Sequence, residues 1–229
     1  FSVLAAQSYF TGFQALPLIS ILALGSGTLV ILQSTLQLSL VGSTQMMGPL
    51  LVITVVREIG PLLTALVVIA CSGTAVASEI GNMRANREIE ALEVMGINPL
   101  SYIVFPRLVG GMISVFCLAI YFNMIALMGG FVLAKFLPMP EMQSLSFSFY
   151  LDSLMNAFDQ ADLWLFLLKN IFSGTIIFIV CCYQGLSVKR SPTEVPIITT
   201  QAVVKSVIYV VGFNLAVSGL FYLHQMGTI

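Results

Sequence analysis

The apolar positions of this chain gather into five long runs: Leu16–Leu40, Met46–Ser78, Val104–Leu137, Leu163–Leu186 and Thr200–Leu223. None alternates with the period of two that a half-buried strand shows, so each is read as a helix. A helix rises ~1.5 Å per residue, and about 20 apolar residues cross a ~30 Å hydrocarbon core. The 46–78 run overshoots that length, so it must either tilt out into water or break. Gly60-Pro61 is the expected break, because proline removes an internal hydrogen bond. Residues 1–14 mix apolar side chains with Gln, Ser and Tyr and are expected to lie as an interfacial helix ahead of Pro17. Gly25-Ser26-Gly27 within the first run is small enough to let helices approach closely. Gly42-Ser43-Thr44-Gln45 reads as a connector.

Composition turns these helices into membrane spans. Hydrophobic residues make up 58% of the chain and charged ones only 8%, with a mean hydropathy of +1.01. Soluble domains carry about 25% charged residues. In lipid every backbone N–H and C=O must be paired internally, which leaves helices or a closed barrel. The expected fold is an all-α integral membrane protein forming one domain over residues 1–229. It has about five transmembrane helices, the N-terminal interfacial helix and one short cytoplasmic helix. The chain opens on Phe1 rather than Met, so further residues are expected before it. Its first apolar run lacks a basic flank and reads as a span, not a signal peptide.

Charge is concentrated. Seven of the nineteen charged residues lie between Glu79 and Arg107: Glu79, Arg84, Arg87, Glu88, Glu90, Glu93 and Arg107. Within this island, Ile89, Leu92 and Met95 recur at roughly helical spacing, and charged residues cover the remaining surface. Arg84 and Glu88 form an i,i+4 pair, while Gly96 and Asn98-Pro99 end the pattern. The island (about 79–107) therefore holds a short amphipathic helix between two spans. Arg84, Arg87 and Arg107 there, with Lys189 and Arg190 in the 187–196 loop, mark the cytoplasmic side. The 138–162 loop, with Pro138, Pro140, Glu141, Asp152, Asp159 and Asp162, has no Lys or Arg and is expected to face the periplasm. Five spans then put the N-terminus in the cytoplasm and the C-terminus in the periplasm.

Charges inside spans are costly and mark functional sites. Arg57 and Glu58 precede Gly60-Pro61, and Lys169 and Lys205 lie near the starts of the fourth and fifth spans. Adjacent helical residues diverge by about 100°, so Arg57 and Glu58 cannot form a same-face pair, and at least one needs another partner. We expect Arg57 and Glu58 to line a polar cavity wall; the two lysines either join it or snorkel to the interface. Catalysis is poorly supported. His224 is the only histidine, no H-E-x-x-H or G-x-S-x-G occurs, and no metal site is expected. The four cysteines lie in apolar runs without zinc spacing and read as small buried hydrophobes. No basic stripe points to nucleic acid. Without a G-x-x-x-x-G-K-[ST] loop, active transport would draw its energy from another chain or from an ion gradient.

Two patterns point to the first source. Glu90-Ala91-Leu92, Gly96 and Pro106 echo the coupling helix that permease subunits of ABC transporters present to their ATPase. More specifically, several motifs in order resemble the MlaE (YrbE-like) permeases. They are Arg57-Glu58-Ile59-Gly60-Pro61, Ser78-Glu79-Ile80-Gly81-Asn82-Met83-Arg84, the polar helix Glu90 to Met95, and Pro106-Arg107. The resemblance extends more loosely from about Tyr9 to the C-terminus.

It implies a homodimeric permease of the bacterial inner membrane that moves phospholipids between inner and outer membranes and maintains outer-membrane lipid asymmetry. The implied substrate cavity includes Arg57, Glu58 and Lys169. ATPase coupling falls to Arg84, Arg87, Glu88, Glu90, Leu92, Glu93 and Met95. The expected partners are a second copy of the chain, a cytoplasmic ABC ATPase dimer that binds ATP and Mg, a periplasmic MCE-domain hexamer and a small cytoplasmic regulatory subunit. The chain itself is expected to be no enzyme and to hold no cofactor. It departs from the resemblance at Ile69–Gly73, where many relatives carry an Arg, and at Asn214, where some carry an acid. The alternative is an ion-coupled carrier using Glu58, which should show paired broken helices in inverted repeats; only Gly60-Pro61 suggests a break. A mere scaffold would leave the charges within the spans without a use.

Overall fold

The computed structural model describes residues 2–41, 46–137, 143, 145–189, 191–225 and 227, with no side-chain description for residues 2–14, 41 and 225. The Gly42–Gln45 connector, Pro138, Pro140, Glu141 and Arg190 lie outside the described residues. All regular structure among those described is helical. We number the main helices α1 Ser2–Val41, α2 Met47–Ala85, α3 Glu88–Val94, α4 Leu100–Lys135, α5 Phe147–Ala157, α6 Gln160–Leu186 and α7 Val195–Gln225. Five of them (α1, α2, α4, α6 and α7) are long and apolar enough to cross a membrane, one for each apolar run.

The segment before Pro17 is helical, and α1 runs without interruption from Ser2 through Pro17 to Val41. One expectation is corrected: α2 does not break at Gly60-Pro61. Pro61 has no N–H to give the Arg57 carbonyl, and its ring would crowd that carbonyl in an α-turn. The helix widens instead of ending. Val52–Ile59 is π-helical, and the Gly60 N–H bonds the Val55 carbonyl five residues back. Further π-helical stretches lie at Ile69–Gly73, Leu100–Val104 and Ile125–Gly129.

The contacts fall into two compact units. One comprises the residues up to Leu16, Ala65–Cys117 and Lys169 onward. Here the second half of α2 packs against α7, burying Val76, Ala77, Ile80, Val195 and Ala202. Phe178 of α6 presses onto α4 at Gly111, where a Cβ would sit 2.2 Å from its ring. Cys181 and Cys182 are buried, as expected of small hydrophobes, but Cys117 is exposed.

The other unit comprises Pro17–Thr64 and Leu118–Leu168. Gly27 of α1 touches α4, where a Cβ would lie 2.1 Å from the Ala126 carbonyl oxygen. Gly25 has open space around it, so only one of the two glycines serves the close approach. The α5 helix packs against the first turn of α2, and the Gly48 N–H donates to Ser153 Oγ at 2.9 Å. Ser146 caps α5 by accepting the Phe149 N–H. Tyr150 of α5 stacks on Phe131 and donates its hydroxyl to the Leu127 carbonyl, 3.0 Å away in a π-helical stretch of α4. Burial pushes its phenol well above the usual value.

Candidate substrate cavity and coupling surface

Arg57 sits in the π-helical stretch of α2 and is buried. A guanidinium cannot be desolvated without a counter-charge. Asp162, in the first turn of α6, supplies it as an ion pair with Arg57 Nη2. The acid is itself anchored: its Oδ2 accepts the Asp159 N–H at 3.2 Å, and its own N–H donates to the Asp159 carbonyl at 3.1 Å. This reaching back from the third helical residue to the cap resembles a capping box. Sequence reasoning had Asp162 as a loop acid and missed this role.

Asn123 was missed as well. Its Oδ1 would lie 2.5 Å from a Cβ on Gly60. Gly60 thus serves as a contact point between α2 and α4 rather than as a break. Glu58, beside Arg57, is half-buried.

Lys169 belongs to the other unit. It is fully buried and does not snorkel; its ammonium donates to Ser218 Oγ of α7 at 2.7 Å. Ser218 Oγ in turn donates to the Asn214 carbonyl, and the Asn214 amide donates to Ser173 Oγ of α6 at 3.1 Å. A string of polar groups therefore joins α6 and α7. A run of i,i+4 serines and asparagines could have signalled it, because such residues link helices in lipid. Lys205 is exposed, as snorkelling requires.

The island folds as a hinge-like corner. Arg84 closes the last turn of α2, and Arg87 reverses the chain with φ of 61° before α3 begins at Glu88. That reversal removes the helical i,i+4 relation expected of Arg84 and Glu88. At the other end, the Gly96 N–H bonds the Glu93 carbonyl and the Ile97 N–H bonds the Leu92 carbonyl, each at 3.0 Å, with Gly96 at φ 76°. This is a Schellman ending, for which glycine is the favoured residue. Of α3 only Ile89 is buried. Glu90 and Leu92 are half-buried, while Arg87, Glu88 and Glu93 are exposed. The apolar spacing does not bury Met95, which is 65% exposed beside Val94 at 89%. Behind the helix, Arg107 Nη2 of α4 meets Glu79 Oε1 of α2 at 2.7 Å and ties the two flanking helices together.

Spans that bury an ion pair and a lysine, joined by a charged helix bearing exposed apolar side chains, define an all-α polytopic membrane protein. The chain belongs to the MlaE permease family, whose model, described as Permease MlaE, matches residues 4–220. It is 31% identical over 224 residues to a probable ABC transporter permease protein of Rickettsia bellii, covering 97% of this chain and 84% of that one. It is 25% identical over 223 residues to the intermembrane phospholipid transport system permease protein MlaE of Haemophilus influenzae, with coverage of 97% and 84%. It is also 26% identical over 181 residues to the chloroplastic protein TRIGALACTOSYLDIACYLGLYCEROL 1 of Arabidopsis thaliana, covering 79% of this chain and 50% of that one.

Proposed function

We propose that this chain is the membrane subunit of an ABC transporter that moves phospholipid between the inner and outer bacterial membranes and so maintains outer-membrane lipid asymmetry. The observation that carries the reading is the family match across residues 4–220, with an intermembrane phospholipid transport permease among the relatives. Two copies would enclose a cavity with apolar walls for acyl tails. Arg57, Glu58 and Lys169 would supply its polar groups. A separate ATPase dimer would bind ATP and Mg, grip α3 and drive the cavity between states. A periplasmic MCE-domain hexamer would receive or deliver the lipid, and a small cytoplasmic subunit would regulate the ATPase. Exposed Val94 and Met95, on the same short segment as exposed Arg87, Glu88 and Glu93, support α3 as the gripped element. Charge bias supports a cytoplasmic N-terminus and a periplasmic C-terminus; in that orientation Lys135, at the end of α4, would face the periplasm.

The test is co-purification in mild detergent. The chain should bring down an ABC ATPase and an MCE-domain protein, and failure to recover either would sink the proposal. Reversing Glu90 and Glu93 to Lys should abolish lipid transport in proteoliposomes and leave the thermal unfolding of the spans unchanged. Full transport by that variant would remove α3 from the coupling role.

A further inference from the structure

The charged island is a loop of chain closed at its base. Its two ends, Glu79 of α2 and Arg107 of α4, are joined by the 2.7 Å ion pair. Each lies roughly two turns inside its own helix, so the pair sits inboard of every joint between α3 and the two spans. Those joints are compliant. Arg87 takes a φ of 61° before α3, and Gly96 a φ of 76° after it. Beyond Gly96, Leu100–Val104 is π-helical, and the Phe105 N–H bonds the Leu100 carbonyl five residues back. Pro106 has no N–H with which to tighten that turn. A wide turn beside a proline is where a helix bends. The α3 helix packs on the end of α2, so a load on α3 reaches α2 directly. Its covalent route to α4 runs through Gly96 and the π-helical stretch, where displacement is taken up as bending. The ion pair is a second route that bypasses both.

The chemistry of the pair fits that task. The Arg107 side chain is only 11% exposed, and its Nη1 is buried with no acceptor among the described residues. Glu79 is the one acid paired with it among those residues, so parting α2 from α4 would strip a largely buried guanidinium of its counter-charge. The Glu79 side chain is 60% exposed, which limits the pair to the modest worth of a partly solvated one.

We propose that Glu79 and Arg107 form a strut, a positioning pair through which movement of α3 reaches α4, so that the near ends of α2 and α4 move as one body. The inference rests on the proposed function, in which an ATPase drives α3. With the strut intact, one stroke on α3 shifts both spans; without it, α2 moves and α4 lags.

The test reads the α2–α4 distance and the coupling ratio separately. With Cys71 and Cys117 changed to Ser, spin labels are attached at Asn82→Cys and Phe105→Cys, both exposed positions. The labelled chain is diluted with unlabelled chain in nanodiscs, so that electron paramagnetic resonance reads distances within one protomer. The parent should give one narrow distribution. Glu79→Gln and Arg107→Gln should each broaden it, and the swap Glu79→Arg with Arg107→Glu should narrow it again. In proteoliposomes holding the complete transporter, Glu79→Gln should hydrolyse ATP at the parent rate but move about three- to fivefold less phospholipid per ATP, the worth of one partly solvated ion pair. Its thermal unfolding should match the parent's, which separates lost coupling from damaged folding. A distribution that stays narrow in both single variants, or an unchanged amount of phospholipid per ATP in Glu79→Gln, would overturn the strut. So would a swap that unfolds like the parent yet stays broad. Broadening by the single variants in a chain whose parent complex moves no phospholipid would count against the proposed function alone.

Discussion

Asp162 meets the buried guanidinium of Arg57 within a span, and the pair should behave as one object. Asp162→Asn removes one carboxylate from a buried guanidinium; breaking a buried pair in this way costs about 3–5 kcal/mol. The variant should unfold well below the parent protein in a thermal scan in detergent. Replacing both partners, Arg57→Met with Asp162→Leu, should regain most of that loss, because two apolar side chains carry no desolvation penalty. A double variant no more stable than the single would show that the pair does not act together. Gly60 makes a second residue-level test. A Cβ there would meet Asn123 Oδ1 at 2.5 Å, so Gly60→Ala should cost about 1–3 kcal/mol through overpacking. Adding Asn123→Ala should relieve part of it, the Val55 carbonyl oxygen still lying 2.9 Å from that Cβ, whereas a helix-break role for Gly60 would leave the whole cost in place. That Arg57 needs a partner was legible from its place in an apolar run. Which acid serves was not, because Asp162 lies far along the chain and its own neighbourhood reads as a loop.

The helices were legible as elements because their apolar runs are longer than any soluble core needs. Their internal geometry was not. Proline next to glycine suggests an ending, yet neighbouring helices hold the chain in line and the strain goes into a wider turn. The π-helical stretch of α4 also offers the Leu127 carbonyl to Tyr150. Tyr150→Phe should therefore cost about 1 kcal/mol, seen as a lower unfolding temperature together with faster hydrogen exchange in α5. The α3 helix rests on its Gly96 ending. Gly96→Ala places a side chain at φ 76°, where an L-residue pays about 1–2 kcal/mol. Hydrogen exchange should rise across residues 88–97 with no change in the spans. An equal rise throughout α2 would mean that α3 is not an independent element.

For the molecule as a whole, one face of α7 carries Ile208 and Leu215 exposed, and a Cβ added at Gly212 or Gly219 would meet nothing within 4 Å. The proposed second copy predicts that this face is covered in the assembly. With Cys71 and Cys117 changed to Ser, Gly219→Cys should form a disulfide-linked dimer in native membranes under oxidation. A chain that stays monomeric under those conditions would count against a dimer through α7. The five spans, the charged island between the second and third, and the family resemblance were all set by contiguous residues. Partition into lipid depends on the composition of about 20 neighbours in a row, which a linear reading captures. The pairing of Arg57 with Asp162, the string from Lys169 to Ser173, the Glu79–Arg107 tie and the contact of Gly60 with Asn123 arose only on folding. Each joins residues from separate helices, and helix rotation and register, which decide what meets what, depend on packing that no local stretch encodes.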